Sequence, residues 1–167
     1  MPLYSKEIIK HFRHPKNVGK IKNPDGVGEA GNLLCGDLMK LYLKVGKDKK
    51  GKEQIKDIKF ETLGCAVAIA NSSLLCSLVK GKKLDEALKI KKEDLIKKLG
   101  KPLPPFKIHC SMLAVDALKE AIYDYFKRNK KEIPEGLKRA HQRIAKTKKE
   151  IEKRYKKFQL LEKRILK

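Results

Sequence analysis

Two segments with alternating apolar side chains constrain the fold more than any other feature of the chain. Residues 38–45 and 55–62 place apolar residues at about every second position, the second segment more regularly than the first, and this pattern is typical of a half-buried β-strand. A polar segment, residues 46–51, separates them, so we expect an antiparallel hairpin. Because a two-stranded hairpin is only marginally stable alone, the sequence also requires a third strand and covering helices.

Helical patterns lie on both sides of this hairpin. Residues 3–12 have near-helical apolar spacing, and the helix should end at His14 because a residue before proline avoids the helical conformation. After the hairpin, apolar spacing predicts helices at residues 66–79, 84–88 and 93–99. Residues 17–32 are rich in glycine, asparagine and proline and are predicted to form a loop throughout.

The C-terminal part of the chain is very basic. The 167 residues carry a formal net charge of +22, and residues 127–167 alone hold 17 Lys and Arg against 5 Asp and Glu. Apolar residues recur there every seven positions, as Leu137, Ile144, Ile151, Phe158 and Ile165, while Thr147 and Arg154 interrupt the second apolar row of a coiled coil. We therefore predict one domain at residues 1–130, followed by a basic helical extension at residues 131–167.

Three roles are open for this extension. Its apolar stripe could dock on its own domain or on a second copy of the chain, which we favour. The positive charge also suits an acidic partner. Contact with nucleic acid is the least favoured role, since no aromatic interleaving or base-reading motif accompanies the lysines.

The segment from Leu103 to Cys110 combines a proline run with reactive side chains. Pro102, Pro104 and Pro105 predict an extended, exposed segment. We expect Ser111 to cap the amphipathic helix that follows. Cys110 would then lie at a helix N-terminus, where the helix dipole favours the thiolate that binds metal or attacks an electrophile.

Three cysteines lie at predicted element boundaries, beside glycine or a capping residue. They are Cys35, Cys65 and Cys110, and Asp37 and His109 add a carboxylate and an imidazole. Three thiolates with one oxygen or nitrogen ligand suit zinc or an iron–sulfur cluster, and mixed ligands exchange more readily than four thiolates. Cys76 lies eleven residues into the helix after Cys65, about 16 Å away at 1.5 Å per residue, and is interpreted as structural.

The sequence predicts a cytoplasmic protein without a membrane contact. No early segment has the order of a signal peptide, and no run approaches the roughly 20 apolar residues that span a bilayer. In a reducing compartment, cysteines serve as metal ligands or catalysts more often than in disulfides.

These motifs together resemble the IscU/NifU family of iron–sulfur cluster scaffold proteins. The resemblance covers roughly residues 3–128 and rests on Tyr4-Ser5, residues 14–19, 35–40, 62–65, 68–73, 79–82, 84–87 and 104–111, in that order. It implies an α+β fold with a three-stranded antiparallel sheet packed by helices. The implied function is assembly of a [2Fe-2S] cluster, using sulfur from a cysteine desulfurase and iron, and transfer of the cluster to acceptor proteins.

The resemblance also implies roles for individual residues. Cys35, Cys65 and Cys110 would hold the cluster, with Asp37 and His109 as exchangeable ligands, and the cluster-free protein would also take up zinc. From its predicted helix N-terminus and its neighbours His109 and Lys107, Cys110 is predicted to be the first sulfur acceptor. Leu103, Pro104, Pro105 and Lys107 would be read by an Hsp70-type chaperone pair, although Phe106 replaces the small aliphatic residue that is usual there.

A different class of function is a zinc-stabilised binding module that acts through the basic C-terminal helix. In that case the same ligands would form a closed structural zinc site. The scaffold is expected to act as a carrier and not as an enzyme. The sequence leaves open whether it forms a homodimer and whether Asp37 or His109 is the fourth ligand.

Overall fold

A computed structural model of the protein describes residues 4–33, 35–100 and 103–165; for Phe106, Phe158 and residues 160–165 it describes the backbone alone. Its three strands are β1 (Gly26–Gly31), β2 (Leu38–Lys47) and β3 (Glu53–Leu63). Its helices are α1 (Lys6–Arg13), α2 (Ala66–Val79), α3 (Leu84–Leu88), α4 (Lys92–Lys98), α5 (Ile108–Arg128) and α6 (Glu135–Ile165), with a short 3-10 turn at Pro105–Lys107.

The strands form one antiparallel sheet in the order β1-β2-β3. Leu41 at the centre of β2 pairs with Gly28 of β1 on one side and with Phe60 of β3 on the other. Leu41 and Phe60 are almost completely buried. The predicted hairpin, the three-stranded antiparallel sheet and the α+β fold class are therefore confirmed.

The first strand corrects one sequence prediction. Residues 26–31 form β1, although the whole of residues 17–32 was expected to be loop. The glycines that suggested a loop serve helix packing instead: a Cβ atom at Gly28 would lie 2.1 Å from the carbonyl oxygen of Ala117, and one at Gly26 would lie 2.2 Å from that of Ala121. Only glycine allows β1 and α5 to approach so closely.

Helices α2 and α5 cover one face of the sheet and lie against each other. A pair of buried polar side chains joins them, because the Ser111 hydroxyl donates a hydrogen bond to Oδ1 of Asn71 over 2.8 Å. On the outer side of α2, Nδ1 of His11 lies 2.8 Å from the Ser73 hydroxyl and ties α1 to the same helix. The N-termini of α2 and α5 consequently lie at the same end of the molecule.

The C-terminal helix α6 packs against α5 and β1. Leu137, Ile144 and Ile151, the first three residues of the seven-residue repeat, are buried there. Docking of the apolar stripe on the chain's own domain is confirmed for these three residues, while the side chains of Phe158 and Ile165 lie outside the described part. No described helix has the length and apolar character needed to span a membrane.

Candidate metal centre

Two helix N-termini bring two of the cysteines together. Cys65 is the N-cap of α2, and Cys110 is the third residue of α5. Their sulfur atoms lie 3.8 Å apart. Both are free thiols, so the pair is available to bind a common metal ion.

The loop between β1 and β2 supplies Cys35 and Asp37. The Asn32 N–H donates to the Asp37 carbonyl over 2.9 Å, and the Gly36 N–H donates to the Asn32 carbonyl over 3.0 Å. Gly36 has a φ of 72°, which a glycine adopts without strain. This tight turn directs the Asp37 carboxylate inward, where it is buried, and leaves Cys35 exposed.

The five predicted site residues form two groups of potential ligands that share Asp37. One group is Cys35, Asp37 and His109, and the other is Asp37, Cys65 and Cys110; within each group the ligand atoms lie within 4.8 Å of one another. Nε2 of His109 is 3.2 Å from the Cys35 sulfur, and Oδ2 of Asp37 is 3.9 Å from the Cys110 sulfur. The fold therefore gathers all five side chains at one end of the sheet.

Glycine at position 64 makes room for the shared carboxylate. A Cβ atom there would lie 3.2 Å from Cγ of Asp37 and 2.9 Å from the Cβ of Ala68. In the sequence, Gly64 is visible only as the glycine beside Cys65, and nothing there indicates its contact with Asp37. That contact depends on the pairing of β2 with β3, which sequence spacing does not encode.

Burial controls the protonation of the thiols. It raises the pKa of the Cys110 thiol, and the neighbouring Cys65 sulfur raises it further. Burial also raises the pKa of Cys35, an effect that the backbone hydrogen bond at Asp37 partly opposes. Both groups are therefore neutral thiols near pH 7 in the metal-free protein, and a metal that binds them must displace protons.

The N-terminus of α5 differs from the prediction at one residue. Ser111 was expected to be the N-cap, but it lies inside α5, completely buried. The 3-10 turn at Pro105–Lys107 leads directly into the helix, which consequently begins at Ile108 with Lys107 before it. Cys110 still lies in the first helical turn, but burial and the neighbouring Cys65 sulfur raise the pKa of its thiol.

Lys107 lies beside the thiols. Burial would lower the pKa of its ammonium group, but a hydrogen bond with the Cys65 sulfur and electrostatic attraction to the Cys65 and Cys110 sulfurs outweigh this effect, and the pKa is raised. The lysine therefore keeps its positive charge next to two sulfur atoms. In the sequence it was one of many lysines, marked only by the prolines before it.

The segment around the prolines is less exposed to solvent than the sequence predicts. Leu103 is buried, Pro104 is partly buried, and Pro105 is exposed. The expected extended, exposed segment is therefore wrong for Leu103, whose apolar side chain joins the core. Lys101 and Pro102 lie outside the described residues.

Cys76 is separate from the metal centre. It is completely buried in the hydrophobic core, and burial raises the pKa of its thiol far above the ordinary value. This position agrees with the interpretation of Cys76 as a structural residue and not a metal ligand.

Comparison with known proteins identifies the family. The model of the NifU-like N-terminal domain matches residues 3–132, which include all five candidate ligands. The chain belongs to the NifU-like N-terminal domain family. Among curated proteins of this type, the iron-sulfur cluster assembly scaffold protein IscU 1 of Archaeoglobus fulgidus is 53% identical over 129 residues, covering 77% of this chain and 80% of that protein.

A bacterial relative supports the NifU-like assignment, and a solved structure shares the fold. The iron-sulfur cluster assembly scaffold protein IscU of Escherichia coli is 50% identical over 125 residues, covering 73% of this chain and 93% of that protein. The crystal structure of the N-terminal part of a NifU-like protein from Brucella abortus matches with a TM-score of 0.56 at 22% identity, covering 75% of this chain and 95% of that one. This last likeness concerns the fold. Helix α6 lies beyond the NifU-like match.

Proposed function

We propose that the protein is a scaffold on which iron–sulfur clusters are assembled and from which they are transferred to acceptor proteins. The observation that carries this proposal is the convergence of three thiols on one buried carboxylate, Asp37, with an imidazole beside it. The names of the NifU-like relatives, which are scaffold proteins for cluster assembly, support the same function.

The donor set suits a cluster that must leave again. Thiolates are the soft ligands that iron–sulfur clusters prefer. Cys35, Cys65 and Cys110 would provide three of them, and Asp37 or His109 would complete the set as a weaker, exchangeable ligand. Cys35 is exposed, so a [2Fe-2S] cluster bound here would have one side accessible to an acceptor protein.

Sulfur would arrive as a persulfide on a cysteine desulfurase, with Cys110 as first acceptor. The Cys110 thiolate would attack the terminal sulfur of the persulfide; the sulfur–sulfur bond of the donor breaks, and the donor cysteine leaves as a thiolate. Reduction of the transferred sulfur to sulfide takes two further electrons from a separate reductant. Lys107 would stabilise the attacking thiolate, since its ammonium group lies beside Cys65 and Cys110.

Cys110 is 1% exposed, so transfer to it would require a local opening of the structure around the thiol. Cys35 is the more accessible thiol. A persulfide-labelling experiment with a desulfurase, followed by mass spectrometry of the modified peptides, tests the assignment. If Cys35 of Cys110→Ser still acquires the persulfide label at the wild-type rate, the assignment of Cys110 as the first acceptor is wrong.

The partners follow from this function. They are a cysteine desulfurase, acceptor apo-proteins and an Hsp70-type chaperone pair that reads Leu103, Pro104, Pro105 and Lys107. Since Leu103 is buried, such a chaperone would bind a form in which this segment has opened. We also propose a carrier role without catalytic turnover, a cytoplasmic location and zinc binding in the cluster-free form.

Anaerobic reconstitution with iron, cysteine and a desulfurase tests the proposed function. The wild-type protein should develop visible charge-transfer absorption, and Cys35→Ser, Cys65→Ser and Cys110→Ser should each lose most of it. Asp37→Ala and His109→Ala should yield a cluster that is lost more rapidly. A colourless wild-type product, or undiminished colour in all three serine variants, would refute the proposal.

Metal exchange distinguishes the proposed scaffold from a zinc-stabilised binding module. A closed structural zinc site should resist replacement by iron and sulfide, and removal of its zinc should unfold the domain. The proposed scaffold should exchange zinc for a cluster and stay folded without either.

A further inference from the structure

Helix α6 is anchored to the domain that carries the candidate ligands. Arg143 forms a bidentate ion pair with Asp116 of α5, with nitrogen–oxygen distances of 2.9 and 2.6 Å. One turn later, Nζ of Lys148 lies 2.7 Å from Oε2 of Glu29 on β1. These contacts direct the helix along the outer side of α5 and β1, towards the loop that carries Cys35.

Two residues of α6 then contact the start of that loop. Ile151 is buried against Gly31, where a Cβ atom would lie 2.5 Å from its Cδ1. Arg154, one turn further, donates from Nη1 to the backbone carbonyl oxygen of Leu33 over 3.2 Å. Leu33 is two residues before Cys35, so this hydrogen bond joins α6 to the loop shortly before the cysteine.

The same helix borders the other side of the Cys35–His109 pair. A small pocket lies between the loop, the start of α5 and α6; it is lined among others by Leu33, His109, Ile144 and Thr147. The start of the loop, the imidazole and α6 therefore face one another across this pocket.

The described residues on either side of the Cys35–Gly36 bond are open to solvent. Cys35 and Gly36 are exposed, and their backbone N–H groups donate hydrogen bonds to Asn32 at the start of the loop. Segments with few buried contacts open at low free-energy cost. The hydrogen bond from the charged Arg154 side chain to Leu33 restricts such opening.

We propose that Arg154 is a positioning residue of the metal centre: by holding the Leu33 carbonyl, it keeps the Cys35 sulfur beside His109 and within reach of a metal shared with Cys65 and Cys110. The basic extension, which lies beyond the NifU-like match, thereby becomes part of the site. This inference depends on the ligand role of Cys35 in the proposed function.

Anaerobic Co²⁺ titration of the full chain tests the inference without cluster assembly. Thiolate ligands give Co²⁺ charge-transfer bands whose intensity increases with the number of coordinated sulfurs. We expect Arg154→Ala to bind Co²⁺ about tenfold more weakly, the lower end of what loss of a ligand-orienting contact costs, and to show weaker charge transfer per bound ion. Arg154→Lys keeps a charged donor and should recover most of the affinity.

Arg139→Ala is the matched control, because it removes the same charge from the same helix. The Arg139 side chain is 76% exposed and pairs only loosely, at 3.9 Å, with Glu135 of its own helix. Removal of a positive charge near the site should strengthen cation binding if charge alone matters, so weaker binding in Arg154→Ala cannot come from the loss of charge.

The inference is overturned if Arg154→Ala matches the wild type, if Arg139→Ala loses as much affinity, or if Arg154→Lys recovers none. A wild-type protein without thiolate charge transfer would instead contradict the ligand set of the proposed function. The two failures are therefore distinguishable.

Discussion

The carbonyl oxygen of Ala117 lies 2.1 Å from the position that a Cβ atom would occupy at Gly28. The contact joins the middle of α5 to the middle of β1, and both elements lead to the metal centre. Any side chain at Gly28 must move a helix backbone, which is costlier than moving a flexible side chain.

Gly28→Ala should therefore destabilise the protein by about 3 kcal/mol, the upper end of the cost of overpacking. Urea unfolding followed by circular dichroism measures the change. Gly46→Ala is the matched control on β2, since the atoms nearest to a Cβ there belong to the Lys56 side chain, at 3.3 Å, and not to a helix backbone; its effect should stay below about 1 kcal/mol. Equal effects at the two glycines would show that the close approach to α5 is unimportant.

Removal of Arg143 should weaken the docking of α6. The Asp116 side chain is 12% exposed and that of Arg143 is 50% exposed, so Arg143→Ala leaves a largely buried carboxylate without its bidentate partner. We expect a loss of about 2 kcal/mol in the free energy of unfolding, between the values typical of exposed and buried pairs. Limited proteolysis should also cleave within α6 sooner than in the wild type or in Arg139→Ala, and unchanged cleavage would contradict this anchoring role.

We expect the contact between α6 and β1 to stabilise the protein less at acid pH. The hydrogen bonds from Lys148 and then Lys40 hold the pKa of Glu29 below its ordinary value of 4.5. A carboxylate whose pKa is lower in the folded state contributes stability above its unfolded pKa, and this contribution is lost as pH falls through the folded pKa.

As the pH falls from 5 through the folded-state pKa of Glu29, the free energy of unfolding should accordingly decrease more in the wild type than in Glu29→Gln. Urea unfolding of both proteins over this range measures the difference. In Lys148→Met the pH dependence of stability should be reduced only in part, because Lys40 still forms its hydrogen bond with Glu29. If the free energies of unfolding of the wild type and Glu29→Gln change in parallel with pH, Glu29 does not contribute this stability.

Cys76 should be dispensable for cluster assembly. Its side chain is completely buried in the core, and Cys76→Ala should cost about 1 kcal/mol of stability, a typical value for a conservative core change. Reconstituted Cys76→Ala should have the absorption intensity of the wild type, in contrast to the serine variants of the three site cysteines. A loss of colour with an unchanged unfolding midpoint would assign this thiol a direct role.

The hairpin and the helices were predictable because their signals are local. Alternation over residues 38–45 and 55–62 and helical spacing over residues 66–79 each reflect one face turned to the core. The candidate ligands were predictable as residue types at element ends. The first strand was not, because its glycines carry a loop signal locally and serve a helix contact about 90 residues away in the chain.

The amino-acid sequence by itself determined the family, the fold class and the identity of the five candidate ligands, since motifs and periodicity are read along the chain. The tertiary structure alone decided that Cys110 is buried, that Lys107 contacts Cys65, and that Arg154 reaches the loop of Cys35. These relationships depend on how separate elements pack together. Burial and distance between remote residues are properties of that packing, and no local pattern encodes them.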